Sequence, residues 1–127
     1  RVVPSPLCIG HPTWEDDPDF NIRNHVFRVK VKAPGGEKEL RQLTGKIFTG
    51  TLDRNKPLWE IYVVEGLENK LGSLIFKVHH CMVDGVAGIG LAFVLFDMSP
   101  DPPKLRKKPF SPDPMPDRTT LLLDALR

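Results

Sequence analysis

The chain has 127 residues, 40% of them hydrophobic and 27% charged, which suffices for one modest domain with a core of its own. A net charge of +2 gives no electrostatic case for nucleic acid as a partner. The longest apolar run, residues 89–96, falls well short of the ~20 residues that span a bilayer.

The chain opens at Arg1 with no signal-peptide pattern and closes on "DRTTLLLDALR", an apolar pattern cut short, so it reads as part of a longer protein. Cys8 and Cys81 are far apart and lack metal-type spacing, which fits a reducing, cytoplasmic setting. Residues 1–20, rich in Pro, Asp and Trp, predict extended or looped chain. "NHVFRVKVK", Asn24–Lys32, alternates: Phe27, Val29 and Val31 face one way, and Arg28, Lys30 and Lys32 the other. That is the pattern of a half-buried strand, and "APGG" breaks it.

Glu37–Thr49 follows with Leu40, Leu43 and Ile47 at helical spacing, and Phe48 at the margin of the stripe. "LDRNKPLW" predicts a turn into a second strand, "WEIYVVEGL", which sets Trp59, Ile61 and Val63 against Glu60, Tyr62 and Val64. After "ENKLG" comes "SLIFKVHH", a third strand whose greater apolar content predicts a central place in the sheet. Asp84–Asp97 is helical and apolar on nearly every side, which predicts deep packing. Gly85, Gly88 and Gly90 weaken that helix, and close backbone approach would compensate. Ser99–Pro116 is dominated by Pro, Asp and Lys and predicts a solvated linker, after which Asp117 can cap a further helix.

Chemistry concentrates in "HHCMVDG", His79–Gly85. If the third strand runs through Ser73–His80, then Leu74, Phe76, Val78 and His80 share one face, and Ile75, Lys77 and His79 the other. Neighbours on opposite faces do not readily bind one metal, and His11, His25 and the cysteines offer no obvious remainder of a shell, so no metal is expected. A histidine with an unperturbed pKa of ~6.5, held rigidly at a strand end, suits a general base instead. Asp84 has two candidate jobs, orienting a histidine ring or pairing with an arginine to shape the loop. Gly85 permits the tight turn into the helix. The competing view is ordinary packing at a strand end, and Cys81 reads as a small buried residue. "GVAGIG" lacks the Gly-Lys-Ser/Thr of a phosphate loop.

These residues carry a family resemblance. "HHCMVDG" resembles the HHxxxDG signature of CoA-dependent acyltransferases. "GHPTWEDDPDFNIRNHV", "LDRNKPLWEIYVVEGL" and "DRTTLLLDAL" resemble, in order, blocks of the bacterial wax ester synthase/diacylglycerol acyltransferase family, and Thr51 departs from an expected proline. The resemblance implies an α/β fold: a mixed β-sheet packed with helices, part of the N-terminal half of a two-domain, chloramphenicol acetyltransferase-like enzyme. Residues 1–98 would be a partial N-terminal domain, 99–116 a Pro-rich interdomain linker, and 117–127 the start of a helix leading to a C-terminal half. It implies acyl transfer from acyl-CoA, a co-substrate, to diacylglycerol or a long-chain alcohol, with no cofactor. His80 would be the base, His79 its support, and Asp84 and Gly85 structural.

Pro57, Leu58 and Trp59 match a Pro-Leu-Trp block that either contacts substrate or anchors a strand. Peripheral contact with a membrane or lipid-droplet surface follows from neutral-lipid chemistry. "KLRKK", residues 104–108, could meet CoA phosphates or anionic headgroups, or simply solvate the linker. A condensation domain with a carrier-bound donor, or a non-catalytic module on the same fold, are the alternative readings. Without the C-terminal half, the chain by itself is expected to be inactive and poorly soluble.

Overall fold

A computed structural model describes residues 1–83, 85–97, 99, 101 and 109–125. Three strands form the main sheet: β3 (Val26–Lys30), β4 (Trp59–Glu65) and β5 (Ser73–Val78). Before them lies a two-residue ribbon that the loop-like composition of residues 1–20 conceals. In it β1 (Val2–Val3) pairs with β2 (Thr13–Trp14) antiparallel, too briefly to show a period. β3 is shorter than its alternation predicts. At its start the Asn21 side chain accepts the Arg23 N–H at 3.0 Å and folds Ile22–Asn24 into a 3-10 turn.

Between β3 and β4 runs α1 (Glu37–Thr49), matching its predicted span. Its first turn is acidic, favourable against the helix dipole, and Glu39 accepts the Gly36 N–H at 3.0 Å. The turn before α1 depends on Gly35, whose φ of +85° favours glycine and where a Cβ would collide with the Gly66 carbonyl. Leu40, Leu43 and Ile47 face the sheet, whereas Phe48 is 53% exposed and lies outside the stripe. The core is Val31, Ile47, Val64 and Ile75, with Val29, Leu40, Leu43, Tyr62 and Leu67 packed around it.

The strand order is β3-β4-β5, parallel then antiparallel. The expectation that the third strand is central is therefore corrected: β4 is in the middle, and β5 lies at an edge among the described residues. β5 is apolar because α1 covers one of its faces and α2 (Gly85–Leu95) part of the other, where Leu74 is still 44% exposed. Ile75 and Lys77 are buried on the α1 side. Phe76 and Val78 meet α2, with Phe76 5.9 Å from the Phe96 ring just beyond it.

α2 itself departs from expectation twice. It is not deeply packed: Phe93 is 64% and Val94 82% exposed, because a helix apolar all round has only one sheet to lean on here. Gly88 and Gly90 admit no close approach either, since nothing lies within 4 Å of where their Cβ atoms would be.

The segment 109–117 follows the body of the domain rather than standing off it. Phe110 packs edge-on against Phe20 at 5.4 Å, and the Asp113 N–H donates to Asp16 at 3.0 Å. Residues 104–108 lie outside the described part. Asp117 caps α3 (Arg118–Ala125) by accepting the Thr120 N–H at 2.7 Å, and Leu121 is buried on that helix.

Ile47→Ala should cost about 2–5 kcal/mol in urea unfolding of the intact protein, because it opens a cavity at the α1–sheet contact. Lys46→Ala, exposed one position earlier, should stay within about 0.5 kcal/mol.

Candidate active site

The site begins where the β4–β5 ladder runs out. Trp59 pairs with Val78 and Glu60 with Lys77. One step further, the His79 N–H donates to the Leu58 carbonyl at 3.0 Å, with Leu58 only 3% exposed. The strand ends at Val78 rather than continuing through His80. His79 is extended, and its Nδ1 accepts the Cys81 N–H at 3.2 Å, which draws His80–Met82 into a 3-10 turn. The two imidazoles therefore separate, but by a turn rather than by strand parity. His79 is half-buried and His80 is exposed. Among the described residues the His80 ring has no hydrogen-bond partner. Asp84 lies outside the described residues, and Gly85 opens α2.

The bond to Cys81 fixes a tautomer. A backbone N–H can only donate, so Nδ1 of His79 must carry the lone pair, and the neutral ring holds its proton on Nε2. His79 lines a cavity of about 400 Å³ together with Val2, Val3, Arg54, Asn55 and Leu58. Cys81 is exposed on the same turn, not the buried residue its composition predicts. Arg54 and Asn55 belong to a tight turn in which Asp53 accepts the Asn55 N–H at 3.0 Å and lies 3.5 Å from the Lys56 ammonium. That N–H, with lesser help from the Asn55 side chain and Lys56, holds the Asp53 carboxyl below its ordinary 3.8 despite some opposing desolvation. The cavity residues 54 and 55 were not singled out from sequence, because a turn pattern says nothing of which strand end it will face.

A second cavity, about 460 Å³ and lined by apolar side chains only, lies between the sheet and α2. Trp59, Val78, Met82 and Leu91 are on its walls, so it adjoins the same His80–Met82 turn. Trp59 is held from its other side by aromatic stacking. The His25 ring lies 4.5 Å from it and 5.3 Å from Phe20, and His25 Nδ1 donates to the Trp59 carbonyl at 2.8 Å. His25 is only 2% exposed. Of the Pro-Leu-Trp block, Leu58 carries the ladder to His79, Trp59 anchors the strand start and borders the apolar cavity, and the half-buried Pro57 carbonyl accepts the Trp59 N–H at 2.9 Å.

Behind the site is a buried polar group that alternation places but does not explain. The Lys77 ammonium donates to the carbonyls of Ile47 and Gly50, both at 2.8 Å, and sits 3.6 Å from a Glu60 carboxylate oxygen. Tyr62 donates its hydroxyl to the same carboxylate at 2.7 Å. Burial, then the Glu60 hydrogen bond and charge, push the Tyr62 phenol up to about 12. Among the described residues, no three His, Cys, Asp or Glu side chains gather as a metal site.

Residues 1–126 match the family described as wax ester synthase/diacylglycerol acyltransferase catalytic domain. A candidate diacylglycerol O-acyltransferase of Mycobacterium tuberculosis is 38% identical over 127 residues, covering all of this chain and 27% of its own length. Another from that organism is 36% identical over 126 residues, covering 99% of this chain and 46% of itself. Among solved structures, the wax ester synthase/diacylglycerol acyltransferase of Marinobacter aquaeolei VT8 superposes with a TM-score of 0.67 at 31% identity, over 73% of this chain and 24% of that one. The chain belongs to the wax ester synthase/diacylglycerol acyltransferase family, and it spans about a quarter of the length of the first of these relatives.

Two outcomes follow from the site's supports. His25→Ala should lower stability by about 2–4 kcal/mol, since it leaves the Trp59 carbonyl unpaired and empties the stack. His25→Phe should lose roughly half of that, and urea midpoints decide between them. Because the folded Asp53 pKa is lowered, the turn's support is complete above the ordinary carboxylate range and is lost as pH falls through the folded value. The Asn55 amide signal should follow that loss below about pH 3.8 in wild type and not in Asp53→Asn.

Proposed function

We propose that the protein carrying this chain is an O-acyltransferase that moves a fatty acyl group from acyl-CoA to diacylglycerol or a long-chain alcohol. The observation that carries this is the family match across residues 1–126, with its His-His pair folded into two chemically different positions. His79 engages its Nδ1 lone pair with the Cys81 N–H, so in the neutral ring the other nitrogen is presented as a donor. This supports His80 as the base.

His80 accepts the proton of the acceptor hydroxyl as the oxygen attacks the thioester carbonyl. The tetrahedral intermediate collapses by breaking its C–S bond, and the departing CoA thiolate takes the proton back from His80. The products are a triacylglycerol or wax ester and free CoA. His79 and Gly85 shape the turn, and Asp84 is assigned a structural role there. The cavity beside Met82, walled by apolar side chains, has the size and lining that suit an alkyl chain.

Among the described residues no helix is long and apolar enough to cross a membrane. The reading adds peripheral contact with a membrane or droplet surface as the route to neutral-lipid acceptors, and a C-terminal half joined through residues 99–116. It also holds that the 127-residue chain by itself is inactive, given the exposed apolar face of α2 and the quarter-length coverage. Purified chain that is monomeric and releases CoA would overturn that last point.

The central test is thiol release from palmitoyl-CoA by the intact protein, offered hexadecanol or a diacylglycerol. His80→Ala should stay folded and lose about 10²–10⁴-fold in kcat, the usual worth of a general base. His79→Ala should lose less. Wild-type turnover in a folded His80→Ala would remove His80 from the role. Folded wild type inert towards both acceptors would point instead to another donor or to a binding module.

A further inference from the structure

Lys77 stands out among the buried side chains. It is 7% exposed on a face it shares with Ile75, where an apolar residue would pack against α1 at no electrostatic cost. Taking an ammonium out of water costs several kcal/mol unless acceptors converge on it. Here three do: the Ile47 and Gly50 carbonyls and the Glu60 carboxylate. Glu60 is Lys77's direct cross-strand partner, and the Tyr62 hydroxyl holds that carboxylate in place.

The two carbonyls define what the cation secures. They belong to the end of α1, where a helix leaves its last C=O groups without internal partners. Gly50 is also the residue from which the chain departs into Thr51–Leu58. Three residues of that segment, Arg54, Asn55 and Leu58, are walls of the cavity that His79 lines. On its own strand, Lys77 lies two residues before His79. One side chain thus ties the strand that leads to His79 to the loop that walls the His79 cavity.

We propose that Lys77 is a positioning residue for the His79–His80 corner: by clamping the exit of α1, it holds the Arg54–Leu58 segment in register against His79. The effect on turnover rests on the acyl-transfer reading, whereas the effect on His79 does not. A mere helix cap would alter stability and leave the folded molecules unchanged. A positioning role alters the folded molecules.

The experiment uses the intact protein with ¹⁵N-labelled histidine, in wild type and in Lys77→Met, a neutral side chain of similar length. Below its melting temperature, Lys77→Met should lose about tenfold or more in kcat, with a smaller change in KM, the scale expected for a wall displaced by a fraction of an ångström. The His79 Nδ1 resonance should move as its bond to the Cys81 N–H loosens, and the His79 backbone amide should exchange faster. Folded Lys77→Met with wild-type kcat and unmoved His79 signals overturns the proposal.

If Lys77→Met does not fold, Glu60→Gln serves. It keeps both carbonyl bonds but releases the ammonium from its carboxylate, and should shift the same signals in the same direction by less. No shift there overturns the proposal equally. If wild type releases no CoA with either acceptor, the acyl-transfer reading fails, and the His79 resonance still decides the role of Lys77.

Discussion

Everything at the site hangs on the register of the β4–β5 ladder. Trp59 opposite Val78 fixes Leu58 opposite His79, and the bond between those two carries the pairing one residue past the strand. A slip of one residue would send Lys77 away from α1 and His79 away from its cavity, because side chains alternate with period two. The register is pinned at both ends by groups that tolerate no such slip. Val64 is 1% exposed at one end, and the Glu60–Lys77 pair sits near the other. The His25–Trp59 stack adds a third constraint, since His25 also accepts the Ile61 N–H through its own carbonyl at 2.7 Å.

Much of the frame was legible in the sequence where a period was long enough to be read. Thirteen residues of amphipathic spacing gave α1 its full span, and the alternation of Phe27, Val29 and Val31 gave the inward face of β3. Asp117 was readable as a cap because capping depends on residue type and one neighbouring turn. The misreadings share a cause. An apolar strand suggests a central place and an apolar helix deep packing, yet hydrophobicity measures how much surface wants covering, not which element covers it. Among the described residues β5 sits at an edge, with α1 on one face and α2 over only part of the other, where Leu74 is 44% exposed, and α2 leaves Phe93 and Val94 outward.

The candidate site was legible in a different way. The pair His79–His80 stands out by its spacing, but the strand parity expected to set the two rings apart does not apply, because the strand stops at Val78. What separates them physically is a hydrogen bond that no periodicity encodes: the Cys81 N–H on His79 Nδ1 ends the strand and fixes a tautomer in one stroke. Arg54 and Asn55 illustrate the converse. Their turn was plain in "LDRN", but its placement beside His79 is a tertiary fact, set by where α1 ends and β4 begins.

Lys77 shows where sequence carries a usable signal that alternation alone undervalues. A lysine on the same face as Ile75, in a strand otherwise apolar, conflicts with its surroundings unless something compensates the charge. Reading that conflict as a demand for acceptors narrows the search to groups that can face β5: the cross-strand Glu60, and the carbonyls at the end of the helix that must pack on this face. Both are found at the ammonium. The same logic separates Lys77 from Lys30, which lies outward on β3 and needs no such partners. A cation in a buried register position is thus informative in proportion to its cost. Here the cost falls on a residue of β5 that reaches the end of α1 and, through the strand, stands two positions before His79.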